Sequence, residues 1–225
     1  MLNQAEIATT HKILTCWDKL TDAQKNLIIS SATLFHYQIG DTLHCAQTDC
    51  IGMLLIKSGT VRVYILSDQG KEVTLYQLYP GDVCVLSAAC VLKTITFDVH
   101  IDAETNCDVI QLSSALFAEL SAENVYFENF AYKLITQRFS DVMWTMQQIL
   151  FLSLDQRLAT FLLTESEKNN SLSINLTHEQ IAKYIGSARE VISRMLKYFA
   201  KEGLVSLSRG GIEILHKEKL LQLKI

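Results

Sequence analysis

Apolar positions change period twice along the first two-thirds of the chain. Residues 13–34, ILTCWDKLTDAQKNLIISSATL, place apolar side chains three and four apart, which predicts short amphipathic helices. From about residue 34 the period drops to two. FHYQIGDTLHCAQTD, MLLIKSGTVRVYILSDQGKEVTLYQLYPGDVCVL and TITFDVHIDAETNCDVIQLS alternate or run in β-branched residues. Gly40, Gly59, Gly70 and Gly81 punctuate these runs, and the single proline, Pro80, forms a turn with Gly81. Short strands at such spacing predict an antiparallel sandwich or barrel. Near residue 113 the period returns to that of a helix: SSALFAEL predicts one short helix, and a long one follows from about Ala122 to Phe151. Within the long helix, Ile135, Phe139, Val142, Met146 and Ile149 form a heptad seam that either packs on the sheet or pairs with a copy of itself. Phe127, Phe130 and Leu134 offer a separate apolar set for docking on the β domain, which favours self-pairing for the seam.

The remainder is helical again, then ends in a hairpin. LSLDQRLATFLLTESEKNN reads as an amphipathic helix with a polar end. Thr177 with Gln180 three residues on is a capping-box pattern. The helix it starts runs from Glu179 to Tyr184 and stops at Gly186. A second starts after Ser187 and ends near Glu202, before Gly203. LVSLSRGGIEIL is then a hairpin with Arg209 at its tip. Helix, glycine turn, helix and hairpin is the order of a winged helix-turn-helix. The fold class is therefore α+β, with boundaries expected at 1–120 for a β domain, 121–152 for the long helix and 153–225 for the winged helix-turn-helix.

The second helix of that unit carries chemistry its folding does not need. Arg189, Glu190, Ser193 and Arg194 share one face, opposite Ile192, Met195, Leu196 and Phe199. Arginine donates bidentately to guanine, glutamate accepts from base amino groups, and serine meets phosphate or a thymine methyl. With Lys197, the wing residue Arg209, and the amides of Thr177 and Ser187 near helix starts, the set predicts a reader of double-stranded DNA. Charge agrees. The chain has a net charge of −4, yet residues 175–225 hold nine Lys and Arg against five Asp and Glu, while the first 174 residues hold eleven against nineteen. A basic end on an acidic body expects an anionic partner at that end.

Other classes are excluded. No run of about 18 apolar residues predicts a membrane span, and the N-terminus lacks the pattern of a signal peptide, so a cytoplasmic protein without a membrane partner is expected. The histidines are scattered, and no nucleophile–base set, phosphate loop or HExxH motif occurs, so no catalytic residues and no metal site are expected.

The glycine pattern IGDTL, KSGTVRVY and DQGKEVTLYQLYPGD, the long helix, and LTHEQIAKYIGSAREVISRMLKYFAKEGLV together resemble the Crp/Fnr family of bacterial transcription regulators. The resemblance covers nearly the whole chain. It implies a homodimer with an N-terminal cyclic-nucleotide-binding-like antiparallel β-roll, a dimerisation helix and a C-terminal winged helix-turn-helix on a palindrome, with RNA polymerase as a further partner if the protein is an activator. Glu190, Ser193 and Arg194 match the Fnr-branch recognition pattern and imply TTGAT-like half-sites. Arg189 departs from that branch and leaves the outer half-site bases open.

The resemblance also frames the effector. Cyclic-nucleotide binders of the family carry an Arg-Ser or Arg-Thr pair where this chain has Phe97-Asp98, and residues 81–103 contain no arginine. A buried phosphate without its cation is costly, so cAMP is not the expected ligand. The iron–sulfur sensors need four cysteine ligands, but only Cys16 precedes the roll, and Cys45, Cys50, Cys84, Cys90 and Cys107 lack the spacing. No cofactor is evident. Haem on His44, Cys45 or His100, or a reactive thiol, is the alternative reading of the sensor, with the same DNA-binding output. The effector pocket is expected at Val83, Cys84, Ser87, Cys90 and Lys93, within an unusually small, apolar stretch.

Overall fold

The computed structural model describes residues 1–45, 51–86, 99–208 and 211–223. They divide into two compact units: Met1–Ile65 with Leu75–Val142, and Leu66–Thr74 with Met143–Ile225. The division thus falls inside the long helix and assigns the tip of one β-hairpin to the second unit.

The first unit opens with α1 (Gln4–Ile13) and α2 (Asp22–Ser31), each started by a capping box, Asn3 with Glu6 and Thr21 with Gln24. Among the described residues eight strands follow: β1 (Thr33–Tyr37), β2 (Thr42–His44), β3 (Met53–Ser58), β4 (Val61–Leu66), β5 (Glu72–Leu78), β6 (Val83–Cys84), β7 (His100–Ala103) and β8 (Cys107–Leu112). They form two four-stranded sheets, ordered β1-β8-β3-β6 and β2-β7-β4-β5. The antiparallel β-roll is as expected.

Strand β3 shows why its sequence, Met53-Leu54-Leu55-Ile56, is a continuous apolar run rather than an alternation. Leu54 and Ile56 face the interior of the roll, with Val61, Val63 and Ile101. Met53 and Leu55 face the other way, into a second core built from Leu14, Ile28, Phe117 and Phe127. A strand buried on both faces has no polar side. Gly59, in the turn after β3, has φ +80°, and a Cβ there would stand 2.4 Å from the Asn106 carbonyl oxygen. Only glycine fits that approach.

Helix α3 (Ser114–Glu123) is separated from the long α4 (Val125–Phe151) by a single residue, Asn124. The Asn124 side-chain oxygen accepts from the amides of Tyr126 and Phe127 at 3.0 and 3.1 Å, while its Nδ2 donates to Gln24 at 2.9 Å and to the Lys19 carbonyl at 3.1 Å. One buried side chain therefore caps α4 and ties its start to α2. Asn124→Ala is expected to lower unfolding stability by about 2 kcal/mol, at the upper end for a cap because a buried partner is orphaned as well. Chemical denaturation measures it.

The second unit comprises α5 (Leu154–Lys168), β9 (Ser173–Ile174), α6 (His178–Ile185), α7 (Arg189–Lys201), β10 (Val205–Ser208), β11 (Gly211–Ile214) and α8 (Lys217–Leu223). Strands β10, β11 and β9 form one antiparallel sheet. Its core gathers Leu158 and Leu162 of α5, Ile181 and Ile185 of α6, Ile192, Leu196 and Phe199 of α7, and Ile212 and Ile214 of β11.

Candidate nucleic-acid interface

Local sequence builds the helix-turn-helix. The Gln180 amide donates to the Thr177 hydroxyl at 3.1 Å, and the Thr177 amide donates to the Gln180 side chain at 2.8 Å, so the capping box starts α6. Gly186 ends the helix in the left-handed region, φ +63°, and the Ser187 amide closes the turn on the Ala182 carbonyl at 2.9 Å. Arg157 of α5 donates to the Ile185 carbonyl at 2.8 Å, satisfying an acceptor at the C-terminal end of α6. The hairpin tip Leu66–Thr74 also braces this turn. Glu72 pairs with Lys183 at 3.0 Å, the Thr74 hydroxyl donates to the Lys183 carbonyl at 3.1 Å, and a Cβ on Gly186 would lie 3.4 Å from Val73.

Helix α7 then presents the expected two faces. Ile192, Leu196 and Phe199 are fully buried, while Arg189, Glu190, Arg194 and Lys197 are exposed and Ser193 is half-buried. Among the described residues no ion pair joins Arg189, Glu190, Arg194 or Lys197 to a partner. Met195, on the same side as these, is half-buried against the core.

Two expectations are corrected. The amides of Thr177 and Ser187 were read as phosphate donors, but each is already used, one by Gln180 and the other by Ala182. A committed amide does not also serve a ligand, and the Thr177 hydroxyl is committed to Gln180 as well. The amides without a cap lie one turn on, because α7 has Ala188 at its N-cap and no side-chain acceptor there. Arg209 lies outside the described residues.

The periodicity argument missed His178. This first residue of α6 is half-buried, and its imidazole is held below its usual range by burial and then by the positive charges of Arg189 and Lys197. A histidine set among cations of the next helix is not visible from spacing within one helix. Its linkage has a definite sign. Below the ordinary value of 6.5 the unfolded chain takes up a proton that the folded unit resists, so stability falls as pH drops through 6.5. His178→Asn is expected to shrink the difference in urea midpoint between about pH 7.5 and about pH 5.5, with the wild type losing more.

The remaining candidate residues distribute differently from their sequence pattern. On α4, Ile135 packs against the core of Leu14 and Phe127, and Val142 against the roll interior, so both are used by the first unit. Phe139, Met146 and Ile149 are exposed, and with Tyr132, Met143 and Leu150 they make the outward apolar stripe. Along this face Tyr132, Thr136, Phe139, Met143, Met146 and Leu150 keep heptad spacing, with Thr136, Met143 and Leu150 in the places expected for Ile135, Val142 and Ile149. Phe127, Phe130 and Leu134 dock on the first unit as expected.

Of the expected effector residues, Val83 and Cys84 are buried on β6, while Ser87, Cys90 and Lys93 lie outside the described residues. His44 and His100 sit on paired strands, β2 and β7, but the His100 ring stacks on Tyr64 at 5.2 Å, and Tyr64 in turn lies 3.9 Å beneath Arg62. Burial pushes the Cys16 and Cys107 thiols up to about 11, with Asp108 and Asp41 adding to the effect at Cys107. Such thiols are packing groups rather than nucleophiles. Among the described residues no three His, Cys, Asp or Glu side chains group to hold a metal, and no helix is long and apolar enough to cross a membrane.

Comparison with known proteins agrees with this geometry. Residues 156–223 match the Crp-like helix-turn-helix domain, and residues 34–124 match the cyclic nucleotide-binding domain. A solved structure from Eubacterium rectale, assigned to the Crp/Fnr family of transcriptional regulators, is 44% identical, covers 93% of this chain and 97% of its own, and superposes with a TM-score of 0.89. The fumarate and nitrate reduction regulatory protein of Vibrio cholerae is 26% identical over 83% of this chain and 76% of its own length. The cAMP-activated global transcriptional regulator Vfr of Pseudomonas aeruginosa is 25% identical over 75% of this chain and 83% of its own.

Proposed function

The chain belongs to the Crp/Fnr family of transcription regulators and carries that family's DNA-binding helix-turn-helix, and from that premise we propose that it acts as a homodimer on a TTGAT-like inverted repeat under an effector other than cAMP. The observation that carries the reading is the face of α7, where Arg189, Glu190 and Arg194 stand exposed, beside the buried Ile192, Leu196 and Phe199. A glutamate between arginines, without an ion pair among the described residues, is not required by the core that α7 helps to form. In the major groove it meets an amino donor while Arg194 addresses guanine.

The exposed heptad stripe of α4 supports the dimer. Pairing through it sets two recognition helices about 34 Å apart, one helical turn of DNA. RNA polymerase is a further partner if the protein activates. The absence of arginine from residues 81–103 supports an effector other than a cyclic nucleotide, although the domain has the cyclic nucleotide-binding pattern. The raised Cys16 and Cys107 thiols speak against either as a redox sensor.

Fluorescence anisotropy with a labelled TTGAT inverted repeat and a scrambled duplex tests the reading. The repeat is expected to bind about a thousandfold tighter at physiological salt. Equal affinity for the two duplexes would refute it.

A further inference from the structure

A cavity of about 310 Å³ lies within the first unit, between the segment joining α1 to α2 and one face of α4. Its apolar floor is Ile13, Val83, Phe130 and Leu134. Thr15, Asp82 and two exposed α4 residues, Lys133 and Gln137, make a polar rim. Among the described residues it shares Val83 with the effector pocket expected from the sequence.

Arg138 also lines this cavity and is 6% exposed. Its Nη1 donates to Asp141 at 2.9 Å, its Nη2 lies 3.6 Å from Asp82, and its guanidinium carbon stands 4.9 Å from the centre of the Tyr76 ring. Those contacts fix the group and leave its buried Nε–H without an acceptor among the described residues. A buried donor in that condition is costly, and only an acceptor beside it would relieve that cost. Asp82 does not fill that role, since its other oxygen already accepts from the Tyr79 amide at 2.8 Å. Lys133 has no ion pair among the described residues.

We propose that this cavity binds a small monocarboxylate with an apolar body, an aromatic or short aliphatic acid. The carboxylate lies against Lys133 and Arg138, and the hydrocarbon lies on the floor of Ile13, Phe130 and Leu134. Charge selects the class. Asp82 and Asp141 already flank the guanidinium, so a phosphate dianion would face two carboxylates with Lys133 as the one lining cation without an ion pair among the described residues, whereas a single negative charge matches Lys133. The volume sits at the lower end for ligand cavities, which suits a small acid. The inference rests on the first unit alone and does not depend on the DNA reading.

Isothermal titration of the full chain with phenylacetate and with hexanoate tests it, with phenylacetamide as the uncharged match. The acids are expected to saturate one site per chain, and the amide to bind at least about tenfold weaker, the worth of one charge-assisted hydrogen bond. Lys133→Met is expected to weaken phenylacetate about fivefold or more, and Gln137→Trp, which fills the rim, to abolish binding. Both replace exposed residues, and unchanged thermal melts show that they fold, which the buried Arg138→Met need not. No saturation by either acid, equal binding of acid and amide, or acid binding unchanged in either variant would overturn the proposal.

Discussion

Arg194→Ala is expected to cost about 1–3 kcal/mol of operator binding per half-site, roughly 5- to 150-fold. Arg194 is exposed, makes no ion pair among the described residues, and lies on the turn of α7 that follows its N-terminus. Its loss therefore leaves folding intact and appears entirely in DNA affinity. Glu190→Ala is expected to behave differently. The glutamate contributes little net attraction beside phosphates, so its removal should relax base choice at one position while total affinity changes less. Lys197→Ala, further along the same face, should weaken all sequences alike and lower the salt slope by about 1. Anisotropy titrations against single-base operator variants at two salt concentrations separate the three patterns. Wild-type affinity and base preference in the Arg194 and Glu190 variants would remove α7 as the reading helix.

A glutamate at Met146 or Phe139 is expected to shift the protein from dimer to monomer in light scattering. Phe139 is 63% exposed and Met146 49%, and neither is needed by the first unit. In a paired seam each substitution sets two like charges against each other, at a cost of several kcal/mol, on the order of a hundredfold or more in the dimerisation constant. The same change at Val142 is a different experiment, because Val142 packs against the roll interior and a charge there attacks folding first. Met146→Glu should therefore lose the dimer and keep its thermal melt. A retained dimer would mean that the stripe does not pair.

The parts of this structure that were legible in the sequence are those set by neighbours three or four residues apart. Thr177 with Gln180, the stop at Gly186 and the two faces of α7 all follow from local spacing, and the structure repeats them. The change of period near residues 34 and 113 likewise marks where strands begin and end.

What escaped the sequence depends on residues far apart in the chain. A heptad count along α4 cannot tell which stripe the β domain has already claimed, so Ile135 and Val142 were assigned to pairing although they pack inward. Amides near a helix start look available until the cap that consumes them is seen, as at Thr177 and Ser187. Arg138 draws Tyr76 and Asp82 from the β-roll, and no motif joins those positions. His178 is tuned by Arg189 and Lys197 from the next helix.

Selection from a random duplex library with the purified full chain tests the central claim most directly, because it assumes no operator. The expected result is an enriched inverted repeat of TTGAT-like half-sites about one helical turn apart, bound as a dimer. Enrichment of no palindrome, or of one unrelated to TTGAT that stays unchanged when Glu190 and Arg194 are replaced, would contradict the assignment of α7 as the helix that reads DNA.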